Sequence, residues 1–317
     1  MKAITLKQTG GIENLILSEV DTPNIQGNEV LVNVKSVGIN PVDAFVRKFD
    51  QALQGYLKPK AQDTIIIGWD IAGTVVKVGE NVKDFKEGDE VFGMVNFTGH
   101  GRAYAEYVAA PAEHLAKKPS NVSFDEASAA TLAALTAWQA LVTHAKVKKG
   151  DKVLIHAAAG GVGHYAVQIA KYFGAYVIGT ASAPNRNFIL QLGADEFVDY
   201  TTEKFEERVK DADLVIDSIY GDHVLRSIDA VKEGGMVVTL LTFFEGEIAN
   251  KAKRKNLSTH RLSVESNGED MKQLAALLEK GAIRSHISAR YPFKELSKAH
   301  QQIETGKTVG KIVVNLL

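Results

Sequence analysis

Two patterns of hydrophobic and polar positions divide the chain near residue 120. Before it, short apolar runs follow a period of two residues and are separated by turns such as Gly27-Asn28 and Gly88-Asp89. This pattern is typical of β-strands, so it predicts a β-rich, barrel-like domain. The predicted strands are residues 15–17, 30–37, 71–78 and 103–108.

The second pattern begins at Ser123, where Ser123-Phe124-Asp125-Glu126 matches a capping box and predicts a helix over the alanine-rich residues 127–141. Strand-like runs then alternate with helical patterns, which predicts a parallel, doubly wound sheet. The predicted strands of this sheet are residues 153–155, 176–180, 196–200, 213–217 and 235–241.

The C-terminal part departs from this alternation. Its pattern predicts a strand over residues 286–293, an amphipathic helix over 294–305 and a final strand over 311–315. We expect these elements to return to the first domain, so that the second domain is an insertion in an α/β fold. The predicted domains are residues 1–122 with 286–317, and residues 123–285.

A glycine turn joins the first strand of the second domain to the helix after it. Its pattern is Ala158-x-Gly160-x-x-Gly163. Glycines let the backbone approach a pyrophosphate, whose charge is met by the free amides at the start of a helix. The flanking strand and helix favour a dinucleotide site, and an ordinary strand-to-helix turn is the alternative.

The end of the next strand selects between the two nicotinamide nucleotides. NAD-dependent enzymes usually place Asp or Glu there to bind the ribose 2′-hydroxyl, but no carboxylate occurs between Asp151 and Asp195. Ser182 can donate a hydrogen bond to a 2′-phosphate and Arg186 can pair with it, so NADPH is the predicted cofactor, with Thr180 as a further contact. The alternative for Arg186 is a solvated residue at a helix start.

The ends of the later strands supply further predicted contacts. Ligands of doubly wound sheets bind outside the carboxyl ends of the strands. We therefore expect Ser218 and residues 240–242, which include Leu241, to lie near the cofactor.

Composition and charge exclude several classes of function. The 317 residues suffice for two packed cores, and a formal net charge of −1 argues against binding to nucleic acid or to an anionic membrane. There is no cysteine, which excludes disulfides, thiolate nucleophiles and cysteine-based metal sites. The first residues lack the apolar core of a signal peptide and no apolar run approaches membrane-spanning length, so we expect a cytoplasmic protein.

Several short motifs are spread along the chain. They are Met1-Lys2-Ala3, Val37-Gly38-Ile39-Asn40-Pro41-Val42-Asp43, Gly68-Trp69-Asp70-Ile71-Ala72-Gly73, residues 130–138, Leu192-Gly193-Ala194-Asp195 and Gly310-Lys311-Ile312-Val313-Val314. With these motifs the chain resembles, over essentially its whole length, the medium-chain dehydrogenase/reductase superfamily. It is most similar to the zinc-free quinone oxidoreductase branch, which includes zeta-crystallin and the reticulon-interacting oxidoreductases. The resemblance implies a GroES-like barrel domain that carries an inserted Rossmann domain.

The resemblance also indicates what stands at the catalytic metal site of the zinc-dependent members. Their cysteine, histidine and second cysteine correspond to Asn40, Trp69 and approximately Leu132. An amide, an indole and an alkyl chain do not replace those ligands, so no metal site is predicted. The nine histidines are scattered, and we interpret them as surface or core residues, with His156 as a packing residue.

For catalysis, the resemblance implies that NADPH delivers hydride to a conjugated acceptor. Asn40 is the first candidate, because its position in the family lies beside the nicotinamide, and a turn residue before Pro41 is the alternative. Asp43 is the second candidate, either orienting Asn40 or Lys311 or capping a helix.

The remaining site residues are carried over by position. Trp69 is a candidate wall for a planar substrate, or a core aromatic. Tyr56, the one phenol of the variable loop between Arg47 and Ile65, is the candidate proton donor of the substrate pocket, and water is the alternative source of protons. The resemblance places Thr131 and Thr136 near the nicotinamide end, Tyr200 near the adenosine phosphate, and Gly160, Gly161 and Val162 at the pyrophosphate. Lys311, in the final strand, is the residue of the C-terminal part expected to approach the cofactor, and a structural role is the alternative for each of these residues.

Three functions stay open at this point. The first is a zinc-free NADPH reductase of quinones, and the second is a reductase of alkenals or enones that uses the same cofactor site. The third is an NADPH-binding protein without turnover. We also expect a homodimer, formed through residues 237–241 as an edge strand of the parallel sheet.

Overall fold

The computed structural model describes residues 1–316, which divide into two compact units. The first unit comprises Met1–Leu135 and the described residues from Glu265 onward, and the second comprises Thr136–Val264. The domain limits expected from the sequence stay predictions.

The strands, in chain order, are β1 (Lys2–Leu6), β2 (Leu15–Glu19), β3 (Glu29–Ile39), β4 (Asp70–Val78), β5 (Glu90–Met94), β6 (Tyr107–Pro111), β7 (Leu115–Lys117), β8 (Lys152–Ile155), β9 (Tyr176–Ala181), β10 (Glu196–Asp199), β11 (Ala212–Asp217), β12 (Val231–Thr239), β13 (Ser258–Arg261), β14 (Ile287–Pro292) and β15 (Lys311–Asn315). The helices are α1 (Pro41–Lys48), α2 (Asp50–Leu57), α3 (Phe124–Ala129), α4 (Leu132–Trp138), α5 (Gly163–Tyr172), α6 (Arg186–Gln191), α7 (Phe205–Arg208), α8 (His223–Ala230), α9 (Gly246–Arg254), α10 (Gly268–Glu279) and α11 (Leu296–Ile303). Short 3₁₀ helices cover Ile12–Asn14, Ala112–His114, Ala183–Asn185 and Phe293–Glu295, and Gln139–His144 forms a π-helix.

The first unit is built on the long strand β3. The larger sheet runs β14-β15-β3-β4-β5-β7, and β6 also pairs with β3. Strand β15 is antiparallel to β3, with Val314 opposite Val37, which confirms that the C-terminal part returns to the first domain. This pairing brings Lys311, the first residue of β15, next to the end of β3.

One strand of this unit begins and ends later in the chain than the sequence pattern predicted. The run at residues 103–108 predicted a strand, but the regular strand is β6, Tyr107–Pro111. The reason is that the backbone of residues 103–105 forms hydrogen bonds with two other segments of the chain. The Tyr104 carbonyl accepts the Ile4 N–H (2.8 Å), and the Ala103 N–H donates to the Gly68 carbonyl (3.1 Å).

The second unit is a parallel sheet in the order β10-β9-β8-β11-β12-β13. This is the doubly wound arrangement that alternation of strands and helices predicts, so that prediction is confirmed. Its core includes Leu154, Ile178, Val215 and Val237, all buried. The order places β8 and β11 at the centre, where the strand succession reverses and a ligand crevice forms.

The prediction that residues 237–241 form an edge strand of this sheet was wrong. Residues 237–239 belong to β12, which pairs with β11 on one side and with β13 on the other. Strand β13 is the outer strand on this side of the sheet. The sequence did not indicate β13 because Ser258-Thr259-His260-Arg261 has no hydrophobic period, so its strand conformation depends on pairing with β12.

The alanine-rich helix predicted over residues 127–141 is interrupted. The capping box at Ser123 and Glu126 starts α3 as predicted, but α3 ends at Ala129 and α4 starts at Leu132. The reason lies elsewhere in the chain, since Asp70 Oδ1 accepts the Leu132 N–H (3.0 Å) and so supplies the cap of α4.

Among residues 1–316, no helix is long and apolar enough to cross a membrane. The cytoplasmic location expected from the sequence stays a prediction.

Candidate active site

Asn40, Asp70 and Lys311 form one buried network that consists of an ion pair and a side-chain amide. Asn40 lies between β3 and α1, Asp70 begins β4, and Lys311 begins β15. Asn40 Nδ2 donates to Asp70 Oδ2 (2.7 Å), while Lys311 Nζ donates to Asn40 Oδ1 (2.5 Å) and lies 3.7 Å from Asp70 Oδ2. None of the three is more than 3% exposed. The structure thus brings Asn40 and Lys311 together and adds Asp70, which the sequence did not single out.

This network fixes the side-chain amide of Asn40. Only one orientation of the amide lets its oxygen face the Lys311 ammonium while its nitrogen faces the Asp70 carboxylate. Both polar ends of Asn40 are therefore engaged within the first unit. A direct contact of Asn40 with nicotinamide or acceptor stays a prediction.

Asp43 caps the start of α1. Its Oδ2 accepts the Asn40 backbone N–H (2.7 Å), which is the capping role considered for it. Asp43 is fully buried, and burial, followed by the charge of Asp70, raises its pKa to about 7 against the opposing effects of Asn40, Lys311 and Tyr104. Asp43 is therefore a carboxyl of this cluster that takes up a proton near neutral pH.

Asp43→Asn is expected to make the free energy of unfolding less sensitive to rising pH. A carboxyl with a pKa of about 7 in the folded state and 3.8 in the unfolded state binds a proton on folding between these values. The stability it contributes is fully present below about pH 4 and is lost as pH rises through 7, with a slope of up to about 1.4 kcal/mol per pH unit. Asparagine keeps an oxygen for the Asn40 N–H but does not ionise.

Chemical denaturation at several pH values between 5 and 8 measures this effect. The difference in free energy of unfolding between pH 5 and pH 8 is expected to shrink in Asp43→Asn, and not in the exposed control Asp84→Asn. Parallel pH profiles of Asp43→Asn and the unmodified protein would contradict the assignment.

A second buried polar chain lies behind Asp43. Arg47 Nε donates to His300 Nδ1 (3.4 Å), so the proton of this histidine is on Nε2, which donates to the Tyr104 hydroxyl (3.0 Å). The Tyr104 hydroxyl is then directed to Asp43, whose pKa it lowers. Arg47 also pairs with Glu304. Burial lowers the pKa of His300 to about 3, so the histidine is neutral throughout the physiological range.

The predicted substrate residues meet in an aromatic cluster. Trp69 and Tyr56 are joined by Phe97, which the sequence did not single out, and the three ring centroids lie 5.2 to 6.2 Å apart. Trp69 is 1% exposed, whereas Tyr56 and Phe97 are partly exposed. Trp69 is therefore a core aromatic in this arrangement, and the accessible ring surfaces belong to the other two residues.

Two predicted nicotinamide contacts, Thr131 and Thr136, are buried. Thr131 Oγ1 donates to the Ser128 carbonyl (2.7 Å) at the break between α3 and α4. Thr136 lies on α4 and is 5% exposed. The assignment of both to the cofactor stays a prediction.

In the second unit, the glycine turn leaves the start of α5 open. The chain passes from β8 through Ala157, whose φ of 48° is left-handed, and the Gly160 N–H donates back to the Ala157 carbonyl (2.8 Å). Gly160, Gly161 and Val162 are partly exposed at this point. A Cβ on Gly163 would lie 2.1 Å from the Ala157 carbonyl oxygen, so only glycine permits this close approach. The arrangement fits a pyrophosphate at a helix N-terminus.

Beneath this turn lies a hydrogen-bonded network around His156. His156 bonds through Nδ1 to Thr180 Oγ1 (3.0 Å) and through Nε2 to Ser227 Oγ (3.1 Å). Asp217 Oδ2 accepts from Ser227 (2.7 Å) and lies 2.9 Å from His223 Nδ1. The Thr180 hydroxyl is therefore engaged by His156, and its predicted contact with the cofactor stays a prediction.

His156, Asp217 and His223 are the one group of potential metal ligands found among residues 1–316. Hydrogen bonds to Ser227 and Thr180, and the contact between Asp217 and His223, already engage these ligand atoms. Burial lowers the pKa of His156 to about 3, and its neutral ring suits these bonds. We therefore interpret the group as a buried polar network, which agrees with the expected core role of His156.

The other predicted cofactor residues lie at the carboxyl ends of successive strands. Ser182 follows β9, Tyr200 follows β10, Ser218 follows β11 and Leu241 lies just beyond β12. Because parallel strands end at one edge of the sheet, these residues share that edge with the glycine turn. Tyr200 and Leu241 are 56% and 49% exposed.

Arg186, at the start of α6, is exposed, and its guanidinium lies 5.5 Å from the ring centroid of Phe197. Asn185 Nδ2 donates to Ser182 Oγ (3.2 Å), which ties the segment after β9 to the start of α6. Ser182 and Arg186 are thus held near each other with the guanidinium accessible. This placement is compatible with the predicted 2′-phosphate contact, which stays a prediction.

Comparison with known proteins identifies the lineage. A family model described as the alcohol dehydrogenase GroES-like domain matches residues 26–120, and one described as zinc-binding dehydrogenase matches residues 192–314. Two relatives are each 36% identical over 99% of this chain and 79% of their own length. They are a 2-methylene-furan-3-one reductase of Solanum lycopersicum and a chloroplastic NADPH-dependent alkenal/one oxidoreductase of Arabidopsis thaliana. The solved structure of the quinone oxidoreductase from Coxiella burnetii is 36% identical, covers 100% of this chain and 99% of its own, and superposes with a TM-score of 0.92.

The doubly wound sheet, the glycine turn and these relatives define an oxidoreductase that uses a nicotinamide dinucleotide. The chain belongs to the medium-chain dehydrogenase/reductase superfamily, in its quinone oxidoreductase branch. The family predicted from the sequence motifs is thereby confirmed.

Sequence reasoning missed the residues whose role depends on distant parts of the chain. Tyr104, Arg47 and His300 carry no local motif, and the partners of these residues and of Asp70 lie far away in sequence. The one signal that could have indicated Asp70 is its place in the Gly68-Trp69-Asp70 motif, since a carboxyl in an otherwise apolar strand needs a buried partner.

Proposed function

We propose that this protein transfers hydride from NADPH to a quinone-type acceptor without a catalytic metal. The observation that carries the proposal is the donor chemistry at the three positions that hold zinc in the zinc-dependent members. Asn40 is engaged by Asp70 and Lys311, and the other two positions are an indole and an alkyl chain. Such groups are poor zinc ligands, so the protein's contribution is to orient a conjugated acceptor and the cofactor.

The bound nicotinamide supplies the hydride, and the residues of the protein supply its binding and orientation. Gly160, Gly161 and Val162 would hold the pyrophosphate at the start of α5, and Tyr200 would contact the adenosine phosphate. In the first unit, Lys311 and Asp70 fix the Asn40 amide. A quinone can take its protons from water, so this proposal assigns no dedicated acid.

NADPH rather than NADH is supported by the end of β9. No Asp or Glu stands there to bind a 2′-hydroxyl, and an Asp or Glu would repel a 2′-phosphate. Ser182 and the accessible Arg186 supply a hydrogen-bond donor and a positive charge instead. The name of the Arabidopsis relative also specifies NADPH.

Arg186→Ala is expected to weaken NADPH binding roughly 10- to 100-fold and NADH binding much less. The reason is that a charge-assisted hydrogen bond to phosphate contributes about 1.5–3 kcal/mol, and only NADPH carries that phosphate. Equilibrium binding of each nucleotide measures the effect. Arg254→Ala, which removes another exposed arginine of the second unit, is the matched control and should change neither affinity. Equal losses for NADPH and NADH in Arg186→Ala would refute the phosphate contact.

Reduction of alkenals or enones is the second candidate, favoured by the activities for which the two 36%-identical relatives are named. NADPH oxidation against a panel of quinones and a panel of alkenals separates the two. Turnover of quinones supports the proposal, and turnover of alkenals alone would replace it with the second candidate. Tight NADPH binding without turnover of any acceptor would favour the third possibility, an NADPH-binding protein without activity.

We further propose that the protein forms a homodimer through β13. This strand pairs with β12 on one side only among the described residues. An outer strand with free backbone groups can pair with a second copy about a two-fold axis. Sedimentation analysis that finds only monomer would contradict the proposal.

A further inference from the structure

Three aromatic rings in the first unit form a cluster with one buried and two accessible members. Trp69 and Phe97 meet edge to face, with centroids 5.2 Å apart and planes at 85°. The Tyr56 ring lies 5.7 Å from Phe97 and 6.2 Å from Trp69. Because Trp69 is 1% exposed while Phe97 and Tyr56 are partly exposed, a ligand meets the last two rings and not the indole.

The backbone around Phe97 is anchored to Trp69. The Trp69 carbonyl accepts the Val95 N–H (2.8 Å), and Trp69 Nε1–H donates to the Gly99 carbonyl (2.9 Å). Between these two bonds, the Phe97 N–H donates to Ser266 Oγ (3.0 Å). Hydrogen bonds on both sides of Phe97 and at its own amide hold the ring before any ligand arrives, which reduces the entropy lost on binding.

Tyr56 lies one residue before the end of α2, the helix that follows α1. Among residues 1–316 its hydroxyl has no hydrogen-bond partner. A phenol beside a ring surface can donate to a carbonyl oxygen of a ligand that stacks there. The residue after Trp69 is Asp70, which holds the Asn40 amide, so the aromatic cluster and the buried network include consecutive residues of the chain.

We propose that Phe97 is the stacking surface for the ring of a planar, electron-poor acceptor and that it sets the preference of this enzyme for cyclic over acyclic acceptors. The inference rests on the proposed function and deepens it. Trp69 supports Phe97 from behind, and the Tyr56 hydroxyl meets a carbonyl oxygen at the ring margin. An acyclic alkenal has no ring to stack, so it gains little from Phe97.

Phe97→Leu tests the proposal, because leucine keeps an apolar side chain but removes the ring. The KM for a planar quinone is expected to rise roughly 5-fold, while the KM for an acyclic enone changes less than about 2-fold. The KM for NADPH is expected to stay unchanged. Phe97→Tyr keeps the ring and should keep the KM for the quinone, and an unchanged KM for NADPH in Phe97→Leu shows that the leucine variant is folded.

Phe45→Leu is the matched control. Phe45 forms an exposed aromatic pair with Phe49 in the same unit, with centroids 5.3 Å apart. It is expected to leave all three KM values unchanged. A rise of equal size for cyclic and acyclic acceptors in Phe97→Leu, or no rise at all, would overturn the proposal.

Equilibrium binding separates this inference from the proposed function. The affinity for a naphthoquinone in the absence of NADPH, followed by tryptophan fluorescence, does not require turnover. Tighter binding to the unmodified protein than to Phe97→Leu, by roughly 5-fold, supports Phe97 as the stacking surface even if no acceptor is reduced. Equal affinities overturn it, whether or not the protein reduces quinones.

Discussion

Lys311→Met is expected to lower the free energy of unfolding at neutral pH by about 3–5 kcal/mol, because it leaves a buried carboxylate without its countercharge. The Lys311 ammonium lies 3.7 Å from Asp70 Oδ2 and also donates to Asn40 Oδ1 and the Ile39 carbonyl (3.1 Å). In the variant, Asp70 keeps the hydrogen bonds from Asn40 Nδ2 and the Leu132 N–H. Neither bond supplies a positive charge.

The pH dependence of this loss has a definite sign. Burial already raises the pKa of Asp70, and Lys311 opposes that shift. Without the ammonium, the pKa of Asp70 in the folded state rises further above its value in the unfolded state, so folding takes up a proton. The loss of stability is therefore expected to be largest at high pH and to shrink as pH falls through the raised pKa.

Urea denaturation at pH 5 and pH 8 measures both effects. The double variant Lys311→Met with Asp70→Asn removes both charges and should be less destabilised than Lys311→Met alone. Lys204→Met, which removes a lysine whose pair with Glu207 is 68% exposed on both sides, is the surface control and should change stability by less than about 0.5 kcal/mol. A loss below about 1 kcal/mol in Lys311→Met would show that this ion pair does not stabilise the site.

The second unit could be predicted from the sequence because its signals are local. Each central strand is a short apolar run, and the turn after β8 is specified by glycines within six residues of one another. Strand β13 is the exception. Its four residues are polar, and only pairing with β12 makes them a strand. Because β13 was not predicted, β12 was expected to be the edge strand that forms the dimer, whereas β13 is the outer strand in the structure.

The first unit was harder to predict from the sequence, because its site depends on contacts between distant segments of the chain. The composition of residues 127–141 predicts one helix, but the Asp70 carboxylate binds the Leu132 N–H and starts a new one. Likewise, Phe97 lies outside every predicted strand and helix, and only the bonds to Trp69 and Ser266 place its ring beside Tyr56. Such contacts have no periodic signature, so sequence patterns find the elements and miss the polar and aromatic clusters between them.

Gly163→Ala is expected to weaken NADPH binding by on the order of 100-fold or more. A Cβ at this position would lie 2.1 Å from the Ala157 carbonyl oxygen and 2.7 Å from Ala158 Cα, and both are backbone atoms that cannot move aside alone. The turn must therefore shift, which displaces the amides at the start of α5. Hydrogen bonds from amides to a charged phosphate contribute about 1.5–3 kcal/mol each, so losing two of them is sufficient. The overpacked turn also costs about 1–3 kcal/mol of stability.

Gly160→Ala is the graded control for this prediction. Its Cβ would meet the Ala157 carbonyl oxygen at 3.1 Å, a contact that a shift of a few tenths of an ångström relieves, and the φ of Gly160 is not in the left-handed region. Its effect on NADPH affinity is expected to be at least 10-fold smaller than that of Gly163→Ala. Calorimetric titration with NADPH, alongside thermal unfolding without nucleotide, separates lost binding from lost folding. Equal affinities in the two variants would mean that the close approach at Gly163 does not shape the nucleotide site, and the glycine turn would then be an ordinary link between β8 and α5.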